Sequence, residues 1–287
     1  MTDPIREPGL YDLSHDRYHS DPCETPSLSS GIANMIVQRS ELHARLAHPR
    51  LGGRGRIPTR EMDRGSIIHK MLLGKGADVV TIEADDYRSK AAQQARDAAH
   101  AAGKIPALPK ELEACGEAHA AISLHLEREG VVLDGMSEIA LIWYAQTSEG
   151  EPVICRTLID HLVIGDDHFE VFDLKSSGKV CSPKKVARKI EDDGAHVQAI
   201  AHLSAVGAVF PHLQGRGRYT WIAAEMEPPY AVCLAEPDGS MTALGVATWQ
   251  EGVNRWAAAL RDDKWPGYPR TRVAASPWAL KEIGMEG

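Results

Sequence analysis

A chain of 287 residues with 43% apolar side chains can bury a substantial core, and its formal charge of -8 excludes a protein that holds nucleic acid by bulk electrostatics. The five cysteines, Cys23, Cys115, Cys155, Cys181 and Cys233, show no C-x-x-C spacing and read as reduced, mostly buried thiols. With no charged leader before an apolar run at Met1 and no apolar stretch of membrane length, the sequence predicts a soluble, cytoplasmic protein that does not engage a membrane.

Residues 1–26, rich in Pro, Asp and His, read as an extended arm. The serines of Ser27-Leu28-Ser29-Ser30 can cap a helix starting near Gly31, with Ile32, Met35, Ile36 and Leu42 as its apolar face. His15 and His19 stand four apart and, with no third ligand nearby, read as chance spacing. The Gly- and Arg-rich stretch from Pro49 to Thr59 reads as a loop before a helix from Arg60 to Leu73 that carries Gly65 and His69. A lone helical histidine is by itself structural or exposed. From Ser89 to Gly130 the Ala-rich, charged chain predicts two helices separated by Lys104 to Pro109, the second spanning Lys110 to Arg128. Residues 27–130 are thus mainly helical.

Glu138 opens the first convincing strand, Ile139 to Ala145. From Val153 to Ser177 two β-rich apolar runs flank Gly165-Asp166-Asp167-His168, a hairpin signature. If Ile164 and Phe169 close that loop, antiparallel register sets Asp160 directly across from Asp173. Alternation puts Val171, Asp173 and Lys175 on one face and turns Phe172 and Leu174 to the core. Opposed like charges on neighbouring strands are destabilising, and a divalent cation between them would compensate. On these residues alone a solvated polar face is the competing reading.

A helix from about Pro183 to Phe210 carrying Gln198 follows, then strands Tyr219 to Met226 and Tyr230 to Leu234, a helix through Trp249, Val253 and Trp256, and a tail over 261–287. The order predicts an α/β fold, one domain over 1–287 with a mixed central sheet flanked by helices and a core at 138–260. Basic residues concentrate twice, in a segment that includes Arg54, Arg56 and Arg64 and in one that includes Lys179, Lys184 and Lys185; each reads as a DNA contact or as solvated surface.

An aspartate, a hairpin and then D-x-K resembles the signature of the PD-(D/E)xK nuclease superfamily. Several separated pieces extend the likeness: Tyr18-His19-Ser20-Asp21-Pro22, Ser27-Leu28-Ser29-Ser30-Gly31, Gly65-x-x-x-His69, Arg88-Ser89-Lys90, Glu138, Arg156-x-x-x-Asp160, Asp173-Leu174-Lys175-Ser176, Gln198, Trp265-Pro266-Gly267-Tyr268 and Pro277-Trp278. In this order they resemble the RecE-type nucleases, the C-terminal domain of exonuclease VIII, nearly end to end. His202, where relatives often have Tyr, and Ser176, where Thr is usual, are departures. The resemblance implies a restriction-endonuclease-like core with His69, Asp160 and Asp173 as metal ligands, Lys175 as the catalytic lysine, and Glu138 and Gln198 as auxiliary catalytic groups. It adds Arg156 to the expected DNA contacts. It implies Mg²⁺, with Mn²⁺ as the alternative, and a homo-oligomeric ring acting on double-stranded DNA ends. Digestion from 5′ to 3′ would leave 3′ tails for a RecT-type single-strand annealing partner in phage-type recombination. A structure-specific or restriction-like endonuclease, and a non-cutting DNA-binding phage protein, remain the alternatives.

Overall fold

A computed structural model describes residues 3–53, 58–178 and 180–284. The chain runs β1 (Gly9–Tyr11), α1 (His15–His19), α2 (Ser30–Gln38), α3 (Glu41–Ala47), α4 (Arg60–Leu73), β2 (Val79–Thr81), α5 (Lys90–Ala101), β3 (Ile105–Ala107) and α6 (Pro109–Arg128). Then come β4 (Met136–Gln146), β5 (Pro152–Ile164), β6 (Phe169–Ser177), α7 (Pro183–Asp193), α8 (Ala195–Val209), a 3₁₀ turn at Pro211–Leu213, β7 (Gly217–Glu225), β8 (Val232–Ala235), α9 (Gly239–Asp262) and α10 (Pro277–Glu282). Six strands form one sheet in the order β1-β4-β5-β6-β7-β8, while β2 and β3 pair separately. Within the large sheet β6 and β7 run parallel and the other neighbours antiparallel.

Both faces of this sheet are covered. One packs on α2, α8 and α9 through Ile36, Val197, Ala201, Val253 and Trp256, and the other on α4 and α6 through Ile67, Ile68, Ala118 and Ile122. A strand buried on both sides must be apolar at every position rather than at alternate ones, and β7 carries Trp221, Ile222, Ala223 and Ala224 in succession. The same geometry corrects the expectation that only Phe172 and Leu174 face a core. Val171 and Asp173 are just as buried, against the other layer.

The meander β4-β5-β6 and the Ile164–Phe169 closure match the sequence reading. Ser29 caps α2 by accepting from the Ile32 N–H, while Leu42 lies on the separate helix α3 and is half exposed, so it is no part of the α2 face. The single helix expected from Pro183 to Phe210 is two. Gly194 adopts φ +73°, which an L side chain rarely takes, and the Asn34 side chain occupies the space a Cβ would need. The arm is likewise more than an extended lead: β1 pairs with β4, and Ile5 forms a bridge with Cys23. Among the described residues no helix is long and apolar enough to cross a membrane.

Candidate metal centre

The centre forms where the sheet ladder breaks. Glu138 lies within β4 at φ +52°, in the left-handed region that costs a non-glycine residue energy. The β4–β5 ladder pairs Ser137 with His161 and Ile139 with Ile159, and skips Glu138 and Asp160 between them. The break changes facing: Ile159 and Leu162, which a regular strand would send to opposite sides, join the same core. On the other side of β5 the ladder with β6 ends at His161 and Phe172. The expected register therefore holds, but the strands separate just before Asp160 and Asp173 would pair. The Leu174 N–H turns to Asp160 instead, donating to Oδ2 at 2.9 Å.

Helix α4 supplies the third side chain. Thr59 caps it by accepting from the Met62 N–H, and Gly65 lets it lie close on β6, since a Cβ there would stand 3.0 Å from Ser176 Oγ. One turn later His69 reaches the broken ladder. Its Nδ1 is 3.4 Å from Glu138 Oε1, and its Nε2 is 3.3 Å from Asp160 Oδ2 and 3.3 Å from the Leu174 carbonyl oxygen. Ligand atoms of His69, Glu138 and Asp160 all lie within 4.8 Å of one another, half-buried. Burial opposes a charge on His69, but the Asp160 carboxylate and then Glu138 outweigh it and push its pKa up to about 9. The imidazolium is the cation that holds these acids together. An imidazole, two carboxylates and a main-chain carbonyl form a donor set that fits Mn²⁺ or Mg²⁺.

Asp173 and Lys175 form the adjoining half. The Asp173 side chain is wholly buried, with Lys175 Nζ 2.6 Å from its Oδ2. Lys175 in turn donates to Gln198 Oε1 on α8 at 2.9 Å. Burial pushes the Asp173 carboxyl above its usual range, against the pull of the ammonium. Lys175 is held above its ordinary value: burial disfavours its charge, and Asp173 and Asp160 more than restore it. Behind the pair the Tyr219 hydroxyl meets His202 Nδ1 at 3.3 Å. Burial holds His202 down to about 4, so it is neutral near pH 7.

The structure thus brings His69, Asp160 and Glu138 into one group, and Asp173, Lys175 and Gln198 into its neighbour. Glu138, expected as an auxiliary group, stands among the potential ligands, and Asp173, expected as a ligand, is outside that group. Arg156 is a correction. It is buried, donating to the Ser27 carbonyl at 2.5 Å and pairing with Asp21 at 3.3 Å, so it ties the arm to β5 and cannot touch DNA. Arg64 donates to the Met226 carbonyl at 2.6 Å and pairs with Glu227, clamping α4 to the end of β7. Lys184 and Lys185 are exposed on α7, and Arg54, Arg56 and Lys179 lie outside the described residues. Two groups at the centre went unnoticed in the sequence: the Leu174 carbonyl, because any residue carries one, and Tyr219, which reaches Asp173 only through the parallel pairing of β6 with β7.

No family model and no curated protein matches this chain. Among solved structures, a Eubacterium rectale protein described as "Putative exonuclease" superposes with a TM-score of 0.60, covering 94% of this chain and 98% of its own at 10% sequence identity. Another, SSO0001, covers 63% of this chain and 83% of its own at 15% identity with a TM-score of 0.26, too low to carry an argument. The first likeness establishes the fold: an α/β protein whose mixed six-stranded sheet, flanked by helices, is consistent with a restriction-endonuclease-like core.

Proposed function

We propose that this chain is a metal-dependent deoxyribonuclease that degrades double-stranded DNA from its ends. The observation that carries the reading is the convergence of His69, Glu138 and Asp160 at a broken ladder, beside a lysine fixed by Asp173 and Gln198. The fold shared with a protein described as an exonuclease supports it. His69, Glu138, Asp160 and the Leu174 carbonyl would hold the divalent ion, which when bound supplies positive charge at the scissile phosphate and lowers the pKa of water. The protein's own groups do the rest. Gln198 Oε1 fixes the direction of the Lys175 ammonium, which can then orient the attacking water and donate to a phosphate oxygen as charge grows on it. Lys184 and Lys185 on the exposed face of α7 supply backbone contacts that fold-wide acidity does not.

Digestion from 5′ to 3′, a ring of identical chains and a RecT-type annealing partner belong to the same proposal, on the sequence resemblance. The test is an assay on end-labelled linear duplex and on covalently closed circles, each with Mg²⁺, Mn²⁺ or EDTA. Release of short labelled product from linear DNA alone, abolished by EDTA, is expected. Efficient cutting of closed circles would make the chain an endonuclease, and no cutting with either metal would leave a DNA-binding protein.

A further inference from the structure

The tail that follows α9 is held to the body at its root. The Leu42 N–H donates to the Pro266 carbonyl at 3.0 Å, Trp265 meets Trp256 edge-on, and Tyr268 lies against His43, all on the side of the sheet that α2, α3 and α9 cover. Further along, Val273 is 96% exposed, and α10 presents Trp278 and Ile283 at 69% and 70%. A helix of six residues does not hold its turns in water by itself, so α10 with its bare apolar side chains is suited to lie on a surface.

The opposite side of the domain carries a matching surface. Between β2, the turn after it and α5 runs an open groove of about 590 Å³, lined by Val80, Ile82, Ala84, Ala92, Ala95 and Ala99. Ala92, Ala95 and Ala99 fall on one face of α5, and their small side chains leave room for large ones. Charge complements shape. Glu83 in the groove wall and Asp85 beside it have no ion-pair partner among the described residues, and neither have Arg270, Arg272 and Lys281 on the tail. We propose that the tail of one copy lies in this groove of a second copy of the same chain, with Trp278 and Ile283 on the alanine floor and the three cations near Glu83 and Asp85. Tail and groove lie on opposite sides of the domain, so the contact is head-to-tail, the class that closes into a ring or runs on as a filament. It goes beyond the nuclease reading, since it does not depend on cleavage, and it gives the proposed ring of identical chains its surfaces.

Sedimentation of the full chain over a range of concentrations tests it. Trp278→Glu removes the apolar anchor of the tail. Ala95→Arg, at an exposed position of α5 that tolerates a good helix former, fills the groove and repels the basic tail. Each variant is expected to keep the parent's melting temperature and to self-associate at least about tenfold more weakly. Mixed in equal amounts, the two variants retain one intact groove and one intact tail, and are expected to pair as two chains and no more. A parent that stays monomeric throughout overturns the assignment, whether its own tail or a different protein fills the groove. Variants that assemble as the parent does overturn the tail contact and leave the ring standing. Variants that fail alone and also fail to pair when mixed overturn the head-to-tail arrangement. Digestion of DNA plays no part in the readout, so the contact stands or falls apart from the nuclease.

Discussion

The two halves of the candidate centre treat their carboxylates in opposite ways. Glu138 and Asp160 are partly open to solvent and share a proton-loaded histidine, whereas Asp173 is sealed in and matched to a lysine of its own chain. Water and ions can reach the first pair, so its charge can be handed from an imidazolium to a metal. The second pair cannot exchange its cation without leaving a charge buried, which is costly. The difference separates a region whose cation is open to exchange from a region that fixes Lys175 in place.

The largest effects should come from breaking the open half. Asp160→Asn keeps an acceptor for the Leu174 N–H and removes the charge. Cleavage is expected to fall by more than about 10²–10³-fold, the loss typical of deleting one transition-state donor. In the parent, metal at about 100 times its Kd should add about 2.7 kcal/mol of stability, and in the variant almost none. Melts with and without Mn²⁺ beside the nuclease assay measure both, and an unchanged metal response would remove Asp160 from the ligand set.

The sealed half should answer in stability without metal. Lys175→Met strands a buried carboxylate and is expected to cost about 3–5 kcal/mol, less at acid pH, where Asp173 takes a proton instead. Asp173→Asn should cost less, because the Lys175 side chain is 28% exposed and its ammonium can turn to water. This reverses the expectation from opposed like charges, under which removing Asp173 would relieve repulsion. Denaturant melts of both variants decide, and a larger loss for Asp173→Asn would mean that its carboxyl is the better-solvated partner.

A smaller effect follows from pH. His69 moves from 6.5 when unfolded to about 9 when folded, so its contribution to metal-free stability is complete below pH 6.5 and is lost as pH rises through about 9. Metal competes with that proton, and stabilisation by Mn²⁺ should grow over the same interval. His69→Gln should flatten both trends in melting temperature. The smallest expected effect is none: the five cysteines are free thiols, so reductant should leave the melting temperature unchanged.

Local pattern alone determined much of this. The Gly165–His168 turn set the hairpin register, period-two alternation put Asp173 and Lys175 on one side of β6, and the Ala-rich, charged stretch broken at Lys104 to Pro109 marked α5 and α6. Only the tertiary structure decided that the ladder opens at Asp160, that Glu138 turns inward at positive φ, that Arg156 is spent on the arm, and that Asp173 is buried. Those outcomes depend on which elements pack on which face, through the parallel β6–β7 pairing and the close seat of α4 on β6. Neighbouring residues restrict one another through backbone sterics and side-chain period. Contacts between distant segments follow from burial and charge compensation across the whole sheet, and no local spacing records them.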